Sequence, residues 1–246
     1  RIKHLPVGYS FRAGYGYSNL MYITAGEIIE RVSEKSWADF VKAKLFQPLA
    51  MNRTIVGTRE LEQMGNYATP HIYAVDKHVA MPWEDWATVA ATGGILSSVN
   101  DMAQWMIFQM NHGVWKNDTI IDPKTHNLIW TPHNNFVVDH TNKNLTGHLA
   151  GYGLVWSVGD YRGKFRVGHT GWYSGMLSAV ALIPEENIGV VVLTNGMRPV
   201  YSSLVNYTLD AFLKAPVRDW SKEALERVNK NSGRDPRIEE RMKSRV

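Results

Sequence analysis

Apolar residues repeat near helical spacing from Asn19 to Ser33, at Leu20, Ile23, Ala25, Ile28, Ile29 and Val32. This predicts a helix, with Asn19 placed to cap the free amides at its start. A second helix is expected from Ser36. Ser36 and Asp39 have capping-box spacing, Trp37, Phe40, Val41 and Leu45 mark the apolar side, and Pro48 ends it. Residues 52–98 are mixed and read as loop-rich, with Pro70, Pro82 and Gly93-Gly94. Asn100 is expected to cap a short helix carrying Met102, Trp105, Met106 and Phe108, which Gly113 ends. Residues 131–150 are polar and read as an exposed excursion.

The last third changes period. Short β-prone runs cover 152–158, 164–167, 176–183 and 188–194. Pro184-Glu185-Glu186-Asn187 predicts a hairpin turn, so the last two strands are antiparallel neighbours. Both are apolar nearly throughout, which predicts cover on both faces. Residues 200–213 then form an amphipathic helix that can pack on the sheet. No internal repeat or low-complexity segment is present.

Composition narrows the chemistry. The chain has 246 residues and no cysteine, which removes disulfides, thiolate zinc sites, iron–sulfur clusters and cysteine nucleophiles. The histidines show no His-Glu-x-x-His spacing, so neither a metal nor another cofactor is expected. No apolar run approaches the ~18 residues of a membrane span. The opening residues carry no apolar stretch of signal-peptide type. The formal charge of +4 lies in residues 214–246, which hold ten Lys/Arg and six Asp/Glu and leave 17 of each sign in the body. The neutral body does not suit nucleic acid. The mixed-sign tail reads as a charged helix or linker.

Three short motifs remain. Tyr15-Gly16-Tyr17-Ser18-Asn19 opens the first helix, Thr92-Gly93-Gly94-Ile95-Leu96-Ser97-Ser98 precedes the third, and Gly168-His169-Thr170-Gly171-Trp172 connects two strands. Singly they are weak signals. A Tyr-x-Asn at a helix start is common, Gly-Gly marks many turns, and His-Thr-Gly suits any loop. Their order resembles the serine β-lactamase and penicillin-binding-protein superfamily, in its class C β-lactamase, D-alanyl-D-alanine carboxypeptidase and esterase branch. The resemblance runs from about Pro6 to Leu213. Further matching stretches begin at Lys44 (Lys-Leu-Phe-Gln-Pro-Leu-Ala-Met), Gly151 (Gly-Tyr-Gly-Leu-Val-Trp) and Leu193 (Leu-Thr-Asn-Gly).

The resemblance implies an α/β (α+β) sandwich with an antiparallel sheet flanked by helices. It also implies hydrolysis of an amide or ester through a serine-bound acyl-enzyme. By this resemblance Tyr17 exchanges protons with nucleophile and leaving group. Asn19 orients the substrate amide. His169 stands where many members carry lysine and is a weaker, pH-dependent cation. Thr170 offers a hydroxyl, Gly171 permits close approach, and the Trp172 N–H is one oxyanion donor. The nucleophile motif is absent: no serine here has a lysine three residues later, and Gly-x-Ser-x-Gly is absent too.

One expectation is therefore residues 1–213 as the C-terminal portion of a hydrolase, with Ser-x-x-Lys on an upstream segment or companion chain. Its N-terminal strands and serine-bearing helix would be missing, leaving an exposed sheet edge. The alternative is a non-catalytic module that keeps the pocket for peptidoglycan-like ligands. A basic tail docking on nucleic acid or an acidic membrane is a third reading, and its mixed signs argue against it. The substrate is a small molecule or peptide, and the resemblance implies an extracytoplasmic location, periplasmic or secreted.

Overall fold

The computed structural model describes residues 12–74, 77–142 and 144–232, together with residues 4, 6, 8 and 10. Helix α1 (Asn19–Ser33) is followed by α2 (Trp37–Val41), which continues as a π-helical turn over Lys42–Phe46. The mixed stretch contains β1 (Ile55–Val56), α3 (Leu61–Met64), the hairpin β2 (His71–Ala74) and β3 (Lys77–Ala80), α4 (Ala90–Gly93) and β4 (Ile95–Leu96). Helix α5 (Val99–Met110), the ribbon β5 (Val114–Trp115) and β6 (Asp118–Thr119), and α6 (Pro123–Trp130) follow. The remaining strands are β7 (Asn134–Asn135), β8 (Ala150–Tyr152), β9 (Ser157–Tyr161), β10 (Lys164–Tyr173), β11 (Met176–Ile183) and β12 (Ile188–Thr194). Helices α7 (Tyr201–Phe212) and α8 (Trp220–Ser232) close the described chain.

The main sheet has the order β12-β11-β10-β9-β8-β7, with every neighbouring pair antiparallel. Its alternation separates two cores. Ala179, Ala181 and Ile183 join Val205 and Leu209 of α7 and Trp220 of α8. Leu182 and Val167 join Met106 of α5, Trp130 of α6 and Trp156. Each fully buried side chain such as Leu182 or Leu209 contributes about 1.5–3 kcal/mol. The expected cover on both faces of the β11–β12 hairpin is thus realised. A third core, around Phe46, Leu49 and Phe108, holds the helical part together.

Among the described residues β12 ends the sheet, pairing with β11 alone. Its sequence Ile-Gly-Val-Val-Val-Leu-Thr carries neither charge nor proline, the usual protections of an edge.

Several local expectations change. Helix α1 has the expected bounds, but Ser18 is its N-cap and makes no side-chain capping bond, so Asn19 is inside the first turn. Ser98, not Asn100, caps α5, because its extended backbone lets the hydroxyl accept from Asp101 N. The 152–158 run is split by a turn in which Gly153 N–H donates to Trp156 C=O at 2.8 Å and Leu154 N–H to Ile129 C=O at 3.1 Å. The expected strand at 164–167 runs on to Tyr173, so His169-Thr170-Gly171-Trp172 lies inside β10 rather than in a connection. Full pairing with β11 from Val167↔Leu182 to Tyr173↔Met176 overrides the weak strand preference of its glycines. Past Leu213 the chain stays attached. Trp220 is buried, its indole N–H donates to Asp210 Oδ2 at 2.8 Å, and its carbonyl accepts from Ser203 Oγ at 3.1 Å. The expected tail beyond 232 lies outside the described residues.

Candidate active site

Packing brings the three motifs together. Gly26 on α1 sits against Ala91 of α4, where a Cβ would come within 2.6 Å of the alanine Cβ. Only a glycine lets the helix lie this close to the Gly-Gly turn. Gly93 in turn faces the Trp86 ring, where a Cβ would stand 3.1 Å from it. Trp86 stacks on Tyr173 with ring centroids 4.5 Å apart and lies 6.1 Å from Trp172. On the other side, the Tyr22 hydroxyl of α1 donates to the Leu154 carbonyl and ties the helix to the β8–β9 turn.

These contacts define a cleft of about 1870 Å³ whose lining includes Tyr17, Asn19, His169, Thr170, Gly171 and Trp172. All six residues expected from the sequence are therefore on one cavity. Tyr17 and Trp172 are 55% and 60% exposed, far more than aromatic side chains in the cores. The Tyr17 ring stacks on the His169 imidazole, with centroids 6.5 Å apart and planes 28° apart. At Gly171 a Cβ would overlap Ser178 Oγ on β11, so a larger residue there would have to turn the Ser178 hydroxyl away.

Sequence reasoning did not single out Tyr152. It is buried, and its hydroxyl lies 3.0 Å from His169 Nε2. Its ring is 5.2 Å from Tyr15, which packs edge-on against Phe136 at 4.9 Å. The Gly151-to-Trp156 stretch carried the only sequence signal for it, and nothing there indicated a partner on β10.

The electrostatics are those of a phenol-lined site. Burial depresses the His169 pKa, opposed by a hydrogen bond with the Thr170 backbone. Burial raises the Tyr152 pKa, and the neighbouring phenols Tyr22, Tyr15 and Tyr17 add to the rise. His169 is therefore neutral, and Tyr152 keeps its proton, near pH 7. Among the described residues no lysine lines the cleft. Arg53, which does line it, donates to the carbonyls of Met64, Gly65 and Asn66. Nor do three or more His, Asp or Glu side chains gather as a metal would need, among the described residues.

The model of the Beta-lactamase family matches residues 1–213. The chain belongs to the Beta-lactamase family. Within curated proteins it is similar to the unguisins hydrolase ungD' of Aspergillus campestris, 28% identical over 92% of this chain and 43% of that protein. It is also similar to an N-acetylmuramyl-L-alanine amidase of Bacillus subtilis, 24% identical over 79% of this chain and 47% of that one. The chain thus spans about half the length of the curated relatives it matches. A solved structure with the same fold is the octameric penicillin-binding protein homologue from Pyrococcus abyssi. It has 27% identity and a TM-score of 0.71, over 82% of this chain and 43% of that one. The family's α+β architecture is that of the sheet and helices described above. Among the described residues no helix is long and apolar enough to cross a membrane.

Proposed function

We propose that this chain forms one wall of a serine-hydrolase site that cleaves an amide or ester through an acyl-enzyme. The nucleophile comes from a Ser-x-x-Lys segment outside the sequence. The observation that carries the reading is the convergence of Tyr17, Asn19 and the His169–Trp172 stretch of β10 on one cleft. The cleft is roughly twice the ~300–1,000 Å³ of an ordinary ligand pocket, which leaves room for further chain as well as substrate. The edge at β12, uncharged and without a second strand partner among the described residues, gives such chain a place to pair.

In this reading the serine oxygen attacks the carbonyl, and the tetrahedral oxyanion is held by the Trp172 N–H and the serine's own N–H. Collapse expels the amine or alcohol, which takes a proton through Tyr17. Water then attacks the ester, and the serine recovers its proton. Tyr17 needs a nearby cation to act as a base near neutrality, which the segment's lysine supplies. Asn19 orients the substrate amide, and Thr170 hydrogen-bonds the substrate carbonyl or carboxylate. Residues 1–213 form the enzyme portion and 214–246 a charged tail anchored through Trp220. The extracytoplasmic location is carried over from the resemblance.

Co-expression with an upstream segment bearing Ser-x-x-Lys, followed by exposure to a p-nitrophenyl ester, tests this by intact mass. A covalent acyl adduct on the serine is expected, lowered about 10²–10⁴-fold in rate by Tyr17→Phe. A stable reconstituted pair that never acquires the adduct would sink the proposal. The absence of Ser-x-x-Lys in this sequence favours a second reading, a binding module. Muropeptide binding that is lost in Thr170→Ala, with no adduct in the reconstituted pair, selects it.

A further inference from the structure

We propose that Tyr152 is a positioning residue for His169, its hydroxyl donating to Nε2 and fixing the imidazole in the Nδ1–H tautomer. The role of His169 in catalysis rests on the hydrolytic reading above, while the hydrogen bond stands by itself.

The argument begins with hydrogen-bond accounting. The Tyr152 hydroxyl is 3.0 Å from His169 Nε2, and it has no other acceptor among the described residues. The side chain is buried at 8% exposure. If Nε2 carried the proton and donated to the phenol oxygen, the phenol O–H would itself be left without an acceptor. A buried donor left so costs about 1–3 kcal/mol. Donation from phenol to Nε2 leaves neither atom unsatisfied and moves the ring proton to Nδ1.

The surroundings support a neutral ring. The titratable groups facing His169 are phenols: Tyr152 from β8 and Tyr17 from the segment before α1, with Tyr15 and Tyr22 beside Tyr152. With its Nε2 lone pair taken and no carboxylate facing it among the described residues, His169 meets a ligand as an uncharged group held in place by a second strand. His169 itself offers a substrate carboxylate no fixed charge at neutral pH; the cation of β10 that lines the cleft is Arg166.

Long-range proton–nitrogen NMR on the chain as it exists tests the assignment without any nucleophile. In the native chain His169 is expected to show a protonated Nδ1 and a bare Nε2 at pH 7.5. In Tyr152→Phe the tautomers are expected to mix, and the His169 titration to rise by about half to one pH unit, the equivalent of one hydrogen bond. A native ring with its proton on Nε2, or with mixed tautomers, overturns the proposal even if the variant fails to fold. So does a folded Tyr152→Phe with an unchanged His169 spectrum. Failure of the serine reconstitution leaves these spectra as they are, so the two readings fail separately.

Discussion

The two ends of β10 are built on opposite plans. At the Lys164 end, Asp210 is buried and takes hydrogen bonds from Tyr161 at 2.6 Å, from Arg162 Nε and Nη2 at 2.6 and 2.9 Å, and from Trp220 at 2.8 Å. Burial alone would raise the carboxyl's pKa, but these donors outweigh it and hold the group below its ordinary value. The polar groups there satisfy one another. At the other end, His169 has the Tyr152 hydroxyl, while Thr170 and Trp172 stand open to the cleft. A closed network locks the fold together, and an open one is free to meet a ligand.

The most damaging way to test this contrast is Asp210→Ala. It leaves the Arg162 guanidinium and two aromatic donors without their acceptor, and should cost about 3–5 kcal/mol in denaturant unfolding. A loss below about 1 kcal/mol would mean the network is ornamental.

A comparable effect should come from acid through a second buried histidine. His126 is fully buried, with Nε2 3.1 Å from Gln109 Oε1, and burial followed by the neighbouring His112 lowers its pKa to about 4. Since the folded pKa lies below the unfolded 6.5, the unfolded chain binds more protons between those values. Stability from His126 is full above pH 6.5 and falls through the window to pH 4, by about 3 kcal/mol. His126→Gln should flatten that window in a series of unfolding curves, and an unflattened series would remove His126 as the cause.

Gly171→Ala lies at the cleft end and should cost about 1 kcal/mol, the cost of turning Ser178 Oγ out of the way. Adding Ser178→Ala removes the overlapping oxygen and should recover most of the loss, which thermal melting of the single and double variants reads directly. The smallest effect is expected from Tyr17→Phe, within about 0.5 kcal/mol, because the side chain is 55% exposed. A large destabilisation there would move Tyr17 from the functional to the structural side of the comparison.

Much of the architecture could be read in advance where one period ran uninterrupted. Helix α1, strands β11 and β12, and α7 fall within a residue of expectation, because one period runs unbroken through each, although the apolar stripe of α1 stays largely exposed at Leu20, Ile28 and Val32. The failures share another cause. Strand β10 was cut short at its glycines, since local preference knows nothing of the partner β11. The caps moved from Asn19 and Asn100 to Ser18 and Ser98, because a cap depends on backbone angles as well as residue type. All six expected site residues line the cleft, yet Tyr152 escaped notice. Its partner is 17 residues away and two strands across the sheet.

The sequence by itself determined the family through its ordered motifs, the helix and hairpin periods, and the absence of Ser-x-x-Lys within these 246 residues. Tertiary structure alone decided that Tyr17 stacks on His169, that Tyr152 holds the imidazole, and that Gly26 and Gly93 bring the motifs close enough to share a cleft. Side-chain type and spacing act over a few residues of chain. Burial, hydrogen-bond partnership and the proton position they impose depend on which distant strands fold alongside.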